Sequence, residues 1–243
     1  MLLFLLRNLR LKHYSTRKLF YNKYLYKVSF YNELNGIFRT DFQKKGTMSY
    51  AREKLDALTE NYRNSKPMEM PIFRTFKQIN EETYLDARFL YAALLRSKQE
   101  YRVRVESFNR ISVFSNDEKF IDKIANGLRT KPVEIHKPDN TVRKELLRNA
   151  NTIVSPTPVY WPIKITLGKN RRDYSGLAKW AEANPDKVKI GEVALAALAS
   201  HGYVSGYYLF VKTENVLDLI NIMIGDNIRR IDRVVYKADL DKY

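Results

Sequence analysis

Between residue 49 and about residue 62, Leu55 and Leu58 fall on one side of a mostly charged run, a spacing that predicts a helix. Pro67-Met-Glu-Met-Pro71 ends it. A second helix fits 81 to about 97. Its apolar residues Tyr84, Leu85, Phe89, Leu90, Ala92, Leu94 and Leu95 cover more than one face, as in a helix laid on a sheet. Residues 101–106 alternate with period two: Tyr101, Val103 and Val105 to one side, Arg102, Arg104 and Glu106 to the other. With a turn at Ser107-Phe-Asn109, residues 111–114 pair with them as a hairpin. Ser115-Asn-Asp-Glu118 reads as a capping box. It opens a helix with a stripe of Phe120, Ile121, Ile124 and Leu128, closed by Gly127 in the left-handed C′ position. A strand at 133–135 follows Pro132.

Residues 138–162 read as a connection that carries a short basic helix at 142–149. Beyond it the pattern predicts a strand at 163–167, a basic turn at 168–172 and a helix at 174–183. A strongly apolar helix at 190–202, a strand at 207–211, a helix from Thr213 to Gly225 and a strand at 231–236 complete the chain. The helix at 190–202 followed by Tyr203–Val211 is similar in outline to a winged helix-turn-helix. Its near lack of polar residues points to burial rather than to base reading.

Segments 111–136 and 209–234 share one plan at a spacing of 98. Each has a strand, a Ser or Thr cap, an amphipathic helix, a glycine and a second strand. Val113/Val211, Ile124/Ile222 and Gly127/Gly225 are the identities, few enough that any β-α-β unit with a three-turn helix accounts for them. The fold class expected is α+β: a mixed sheet with two β-α-β units, their strands parallel neighbours, packed by helices. The halves are 48–137 and 163–243.

Charge changes this picture at the N-terminus. The formal net charge is +16, and half of it lies in the first 47 residues, which hold ten basic and two acidic side chains. That segment reads as a leader outside the fold. In one reading it is a start placed upstream of a true Met48 in an AT-rich bacterial or phage gene. In the other it is a mitochondrial presequence, being nearly free of acids and carrying Arg and Ser. Its opening apolar run stops at Arg7, far short of a membrane span.

Candidate chemistry is sparse. The absence of cysteine excludes disulfides, thiolate metal sites and thiol catalysis. His13, His136 and His201 are the only histidines; no paired-histidine metal motif and no phosphate-binding loop is present, so no cofactor and no metal are expected. Glu134-Ile-His136 is the one arrangement similar to a metal-holding strand end of a nuclease. Three basic clusters stand as candidate phosphate contacts: Lys169, Arg171 and Arg172 in the turn; Arg102, Arg104 and Arg110 on the hairpin, beside Tyr101 and Phe108; and Arg229, Arg230 and Arg233 at the last strand.

These features together suggest a non-enzymatic, nucleic-acid-associated accessory protein, bacterial or phage and cytoplasmic, that contacts DNA or RNA phosphates without a membrane. Two alternatives remain open: a virion structural or host-interaction protein with a protein partner, and a mitochondrial matrix or ribosome-associated protein.

Overall fold

A computed structural model describes residues 11–39, 47–72, 75–130, 132–169, 173–200 and 202–240. The chain forms two compact units. One comprises Met1–Thr16 and Lys23–Asp139, the other Arg17–Asn22 and Asn140–Tyr243.

The sheet of the first unit runs β1-β7-β2-β6-β5, with β1 Leu11–Ser15, β2 Tyr26–Tyr31, β5 Tyr101–Val105, β6 Arg110–Ser115 and β7 Val133–Lys137. β1 is parallel to β7, and the other neighbours are antiparallel. β2, which reads from sequence as part of a leader, is the middle strand. Its Tyr26, Val28 and Phe30 are buried, and Leu34, Ile37 and Phe38 just after it are as well. The segment set aside as lying outside the fold therefore supplies the centre of a sheet. The Arg17–Asn22 stretch belongs to the second unit, where the Arg17 carbonyl accepts from the Val154 N–H.

Among the described residues, the α-helices that accompany this sheet are α1 Thr47–Arg63, α2 Glu81–Arg96 and α3 Glu118–Gly127. A two-stranded ribbon of β3 Glu69–Ile72 and β4 Thr75–Gln78 precedes α2. α3 buries Phe120, Ile121 and Ile124, and Leu128 at its C-cap is buried too, the stripe its periodicity predicts; Ala125 joins them. Its cap differs from the expected box. Asp117, in extended conformation, accepts from the Phe120 N–H, while the Ser115 hydroxyl donates to the Glu100 carbonyl and accepts from the Asp117 N–H. Gly127 is not left-handed; a Cβ there would meet the Phe89 ring at 2.0 Å, so close packing against α2 explains it. Gly225 too is right-handed, at φ −51°. The buried Asp86 carboxylate of α2 accepts from the Arg129 and Thr130 N–H groups at 2.8 Å each, which fixes the chain leaving α3.

In the second unit, α4 Asn140–Arg148 and β8 Thr152–Ser155 occupy the stretch that reads as a connector. β9 Ile163–Leu167, α5 Ser175–Ala183, β10 Val188–Ile190, α6 Glu192–Ala199, β11 Tyr208–Val211, α7 Glu214–Ile224, β12 Ile228–Tyr236 and α8 Lys237–Leu240 follow. The sheet order is β10-β11-β9-β12-β8, with only β8 and β12 parallel. Ile163, Ile165, Leu167, Leu209 and Val211 turn to one face and share a core with Leu177, Ala181, Leu198, Leu217 and Ile220 from the helices.

The fold is thus α+β with mixed sheets, and both sheets have one topology. Read from the parallel edge they are β1-β7-β2-β6-β5 and β8-β12-β9-β11-β10. The expected parallel neighbours are corrected here. β6 and β7, linked by α3, lie on either side of β2; β11 and β12, linked by α7, lie on either side of β9. Each β-α-β unit is split by a strand between its two arms. The shared order is one of topology and does not establish that one unit is a copy of the other. The helix expected over 190–202 is shorter and less buried than its composition suggests: only Ala194 and Leu198 of α6 are buried, and Val193 is 69% exposed. β11, the would-be wing, lies within the sheet.

Candidate nucleic-acid interface

Strand alternation decides what each sheet shows on the face away from its helices. In the second unit, Leu209 and Val211 face the core, so Tyr208 and Phe210 face the other way. Tyr208 pairs across the ladder with Thr166, and Phe210 with Lys164 on one side and Lys189 on the other. The two rings meet edge to face, with centroids 5.5 Å apart at 82°. The Lys164 ammonium lies 3.9 Å from the Tyr208 ring centre and 5.8 Å from that of Phe210. Burial lowers the Lys164 pKa, and Lys18 and Arg230 push it the same way; Asp232 opposes them in part. The ammonium sits where positive charge is crowded, which favours an incoming anion.

This surface continues past the end of β11. Lys212 reaches Tyr160, donating to its hydroxyl at 3.0 Å and lying 4.5 Å from its ring centre, with Trp161 edge-on to Tyr160. Tyr208 and Tyr160 are 47% and 66% exposed, whereas Phe210 is part-buried, so the tyrosines offer most of the accessible ring surface. Among the described residues, Lys164, Lys189 and Lys212 form no ion pair.

The arginine clusters read from sequence behave differently. Arg102 and Arg104 do project from the outer face of β5. Arg104 and Arg110 share Glu106 at 3.8 Å each, and Arg110 also pairs with Glu134. Tyr101 turns inward onto Phe120, away from the cluster, whereas Phe108 stands 90% exposed at the turn. The last-strand cluster is not one surface. Arg230 pairs with Asp232 on the face opposite the core; Arg233 pairs with Glu214 of α7 on the core side; and exposed Arg229 sits where the ladder register shifts. Lys169 is exposed after β9, while Arg171, Arg172 and His201 lie outside the described residues.

Nor does Glu134-Ile-His136 gather further acids. Glu134 is held by Arg110, and the His136 ring stacks on Tyr14 at 4.9 Å. Among the described residues no group of three or more His, Cys, Asp or Glu is placed to hold a metal ion, and no helix is long and apolar enough to cross a membrane.

Sequence reasoning passed over Tyr208 and Phe210 because 207–211 is apolar throughout. The available signal was the alternation of aromatic with aliphatic residues inside that run. In comparisons with known proteins, no family model, no curated protein and no solved structure matches the chain.

Proposed function

We propose that the protein binds single-stranded nucleic acid on the sheet face of its second unit opposite the core of Ile163 and Leu209, as a non-enzymatic accessory factor. The observation that carries this reading is the Tyr208–Phe210 pair with Lys164 against its rings and Lys189 and Lys212 to either side. Every base has a π-face, so stacking on exposed aromatics tolerates sequence, and lysines beside the rings meet the backbone that links the bases. Sheets that take up unstacked bases in this way present aromatics on their inner strands. The reading rests on these side chains, because topology alone assigns no function. A duplex hides its base faces and is expected to bind more weakly.

The test titrates the full chain against labelled single-stranded DNA, single-stranded RNA and duplex at low salt. Base stacking is worth about 1–3 kcal/mol per base, so Tyr208→Ala and Phe210→Ala should each weaken single-strand binding by about fivefold or more. Absence of binding at low salt, or binding indifferent to both substitutions, would overturn the proposal.

A further inference from the structure

We propose that a cleft at the end of the β5–β6 hairpin, in the first unit, binds a nucleoside monophosphate group, with the base on Phe108 and the phosphate on Arg39 and Arg104. The cleft encloses about 530 Å³ and is lined by Tyr31, Arg39, Arg104, Glu106, Phe108 and Arg110. Three guanidinium groups line the cleft, and the two carboxylates that hold them, Glu106 within it and Glu134 behind Arg110, still leave the arginines in excess. Guanidinium forks match phosphate oxygens in pairs, which a single ammonium does not. The acids hold the arginines in place. Glu106 bridges Arg104 and Arg110, and Glu134 fixes Arg110, whose guanidinium lies 5.9 Å from the Tyr31 ring centre.

Phe108 is the unusual member. The turn places Phe108 and Asn109 at φ +58° and +60°, positions that favour Asn and Gly. A bulky side chain is rare there. Burial does not offset the cost, because Phe108 is 90% exposed. A flat apolar ring is therefore held in water at the rim of a cationic cleft, where it suits a ligand with both an aromatic and an anionic part. A nucleotide has both, whether free or within a strand. This site belongs to a different unit from the Tyr208 platform and does not depend on it.

The test uses the full chain, titrated by NMR or calorimetry with AMP, adenosine, inorganic phosphate and a short oligoadenylate. AMP is expected to bind about tenfold or more tighter than adenosine or phosphate alone. Arg104→Ala and Phe108→Gly should each weaken it by about fivefold or more, while Tyr208→Ala leaves it unchanged. If only the oligonucleotide binds with this dependence on Arg104 and Phe108, the nucleotide is taken from a strand. Phe108→Gly removes the ring and eases the turn, so its effect does not report unfolding. Phosphate binding as tightly as AMP, with Phe108→Gly silent, would overturn the nucleotide reading. So would the failure of both AMP and the oligonucleotide to respond to Arg104 and Phe108. A silent Tyr208→Ala in oligonucleotide binding tests the platform separately.

Discussion

His136 carries a charge cost that the fold imposes on it. Half-buried beneath Tyr14, and with Lys27 and Arg110 close by, its pKa is lowered from 6.5 to about 4; burial is the largest cause, and Glu134 opposes the shift. The folded state therefore favours neutral imidazole. The stability linked to this residue is complete above pH 6.5 and is lost as pH falls toward 4. After discounting for its partial exposure, the loss is about 2 kcal/mol. Urea unfolding at pH 7 and pH 4.5 checks this: the wild type should lose about that much more than His136→Phe, which keeps a ring against Tyr14 but does not titrate. At this scale the sequence is legible where a residue's role is local. The outward projection of Arg102 and Arg104 follows from alternation alone. Pairing of Arg110 with Glu134 does not, since it depends on strands joined through a third strand.

Among the elements, β2 shows how a strand can be present in the pattern and still be missed. Tyr26, Val28 and Phe30 alternate with Lys27, Ser29 and Tyr31, which is the period of a half-buried strand. The Asn-, Lys- and Tyr-rich surroundings mask that period, because their composition resembles a leader. In the fold Val28 faces Val113, and the Ser29 and Ser112 hydroxyls bond at 2.9 Å across the ladder. Phe30 is 1% exposed. Phe30→Ala should cost the first unit about 3–5 kcal/mol, read by chemical denaturation of the full chain. A fragment beginning at Met48 lacks the middle strand and should show no cooperative unfolding of that unit by near-UV circular dichroism. A fragment as stable as the full chain would contradict the placement of β2. Strands flanked by clear punctuation, such as β5 and β9, were legible; the three-residue β10 and four-residue β8 are too short to show a period.

For the whole molecule the question is what a charge of +16 does. Much of the arginine charge near the sheet faces is matched by acids, whereas Lys164, Lys189 and Lys212 form no ion pair among the described residues. Each phosphate contact to a single strand contributes about 0.7 to the slope of log affinity against log salt. Replacing the three lysines together with Ala should flatten that slope by about 2, measured by anisotropy over a salt series. An unchanged slope would locate the phosphate contacts elsewhere. The α+β class was legible at this scale because helix and strand periods alternate along the chain. The strand order was not, because the insertion of β2 between β6 and β7, and of β9 between β11 and β12, is set by long-range pairing rather than by local pattern.

That order also bears on how the protein is made. Leu11 pairs with Val133, and Val28 with both Ile135 and Val113. On a ribosome adding about 5–20 residues per second, β2 emerges roughly 5–20 s before the strands that flank it. Through that interval Tyr26, Val28 and Phe30 have no sheet to enter, and the Arg17–Asn22 stretch waits longer still for Val154. The nascent chain therefore carries an adhesive, cationic N-terminal segment through about half of its own synthesis, and its yield in a cell depends on what shields that segment meanwhile.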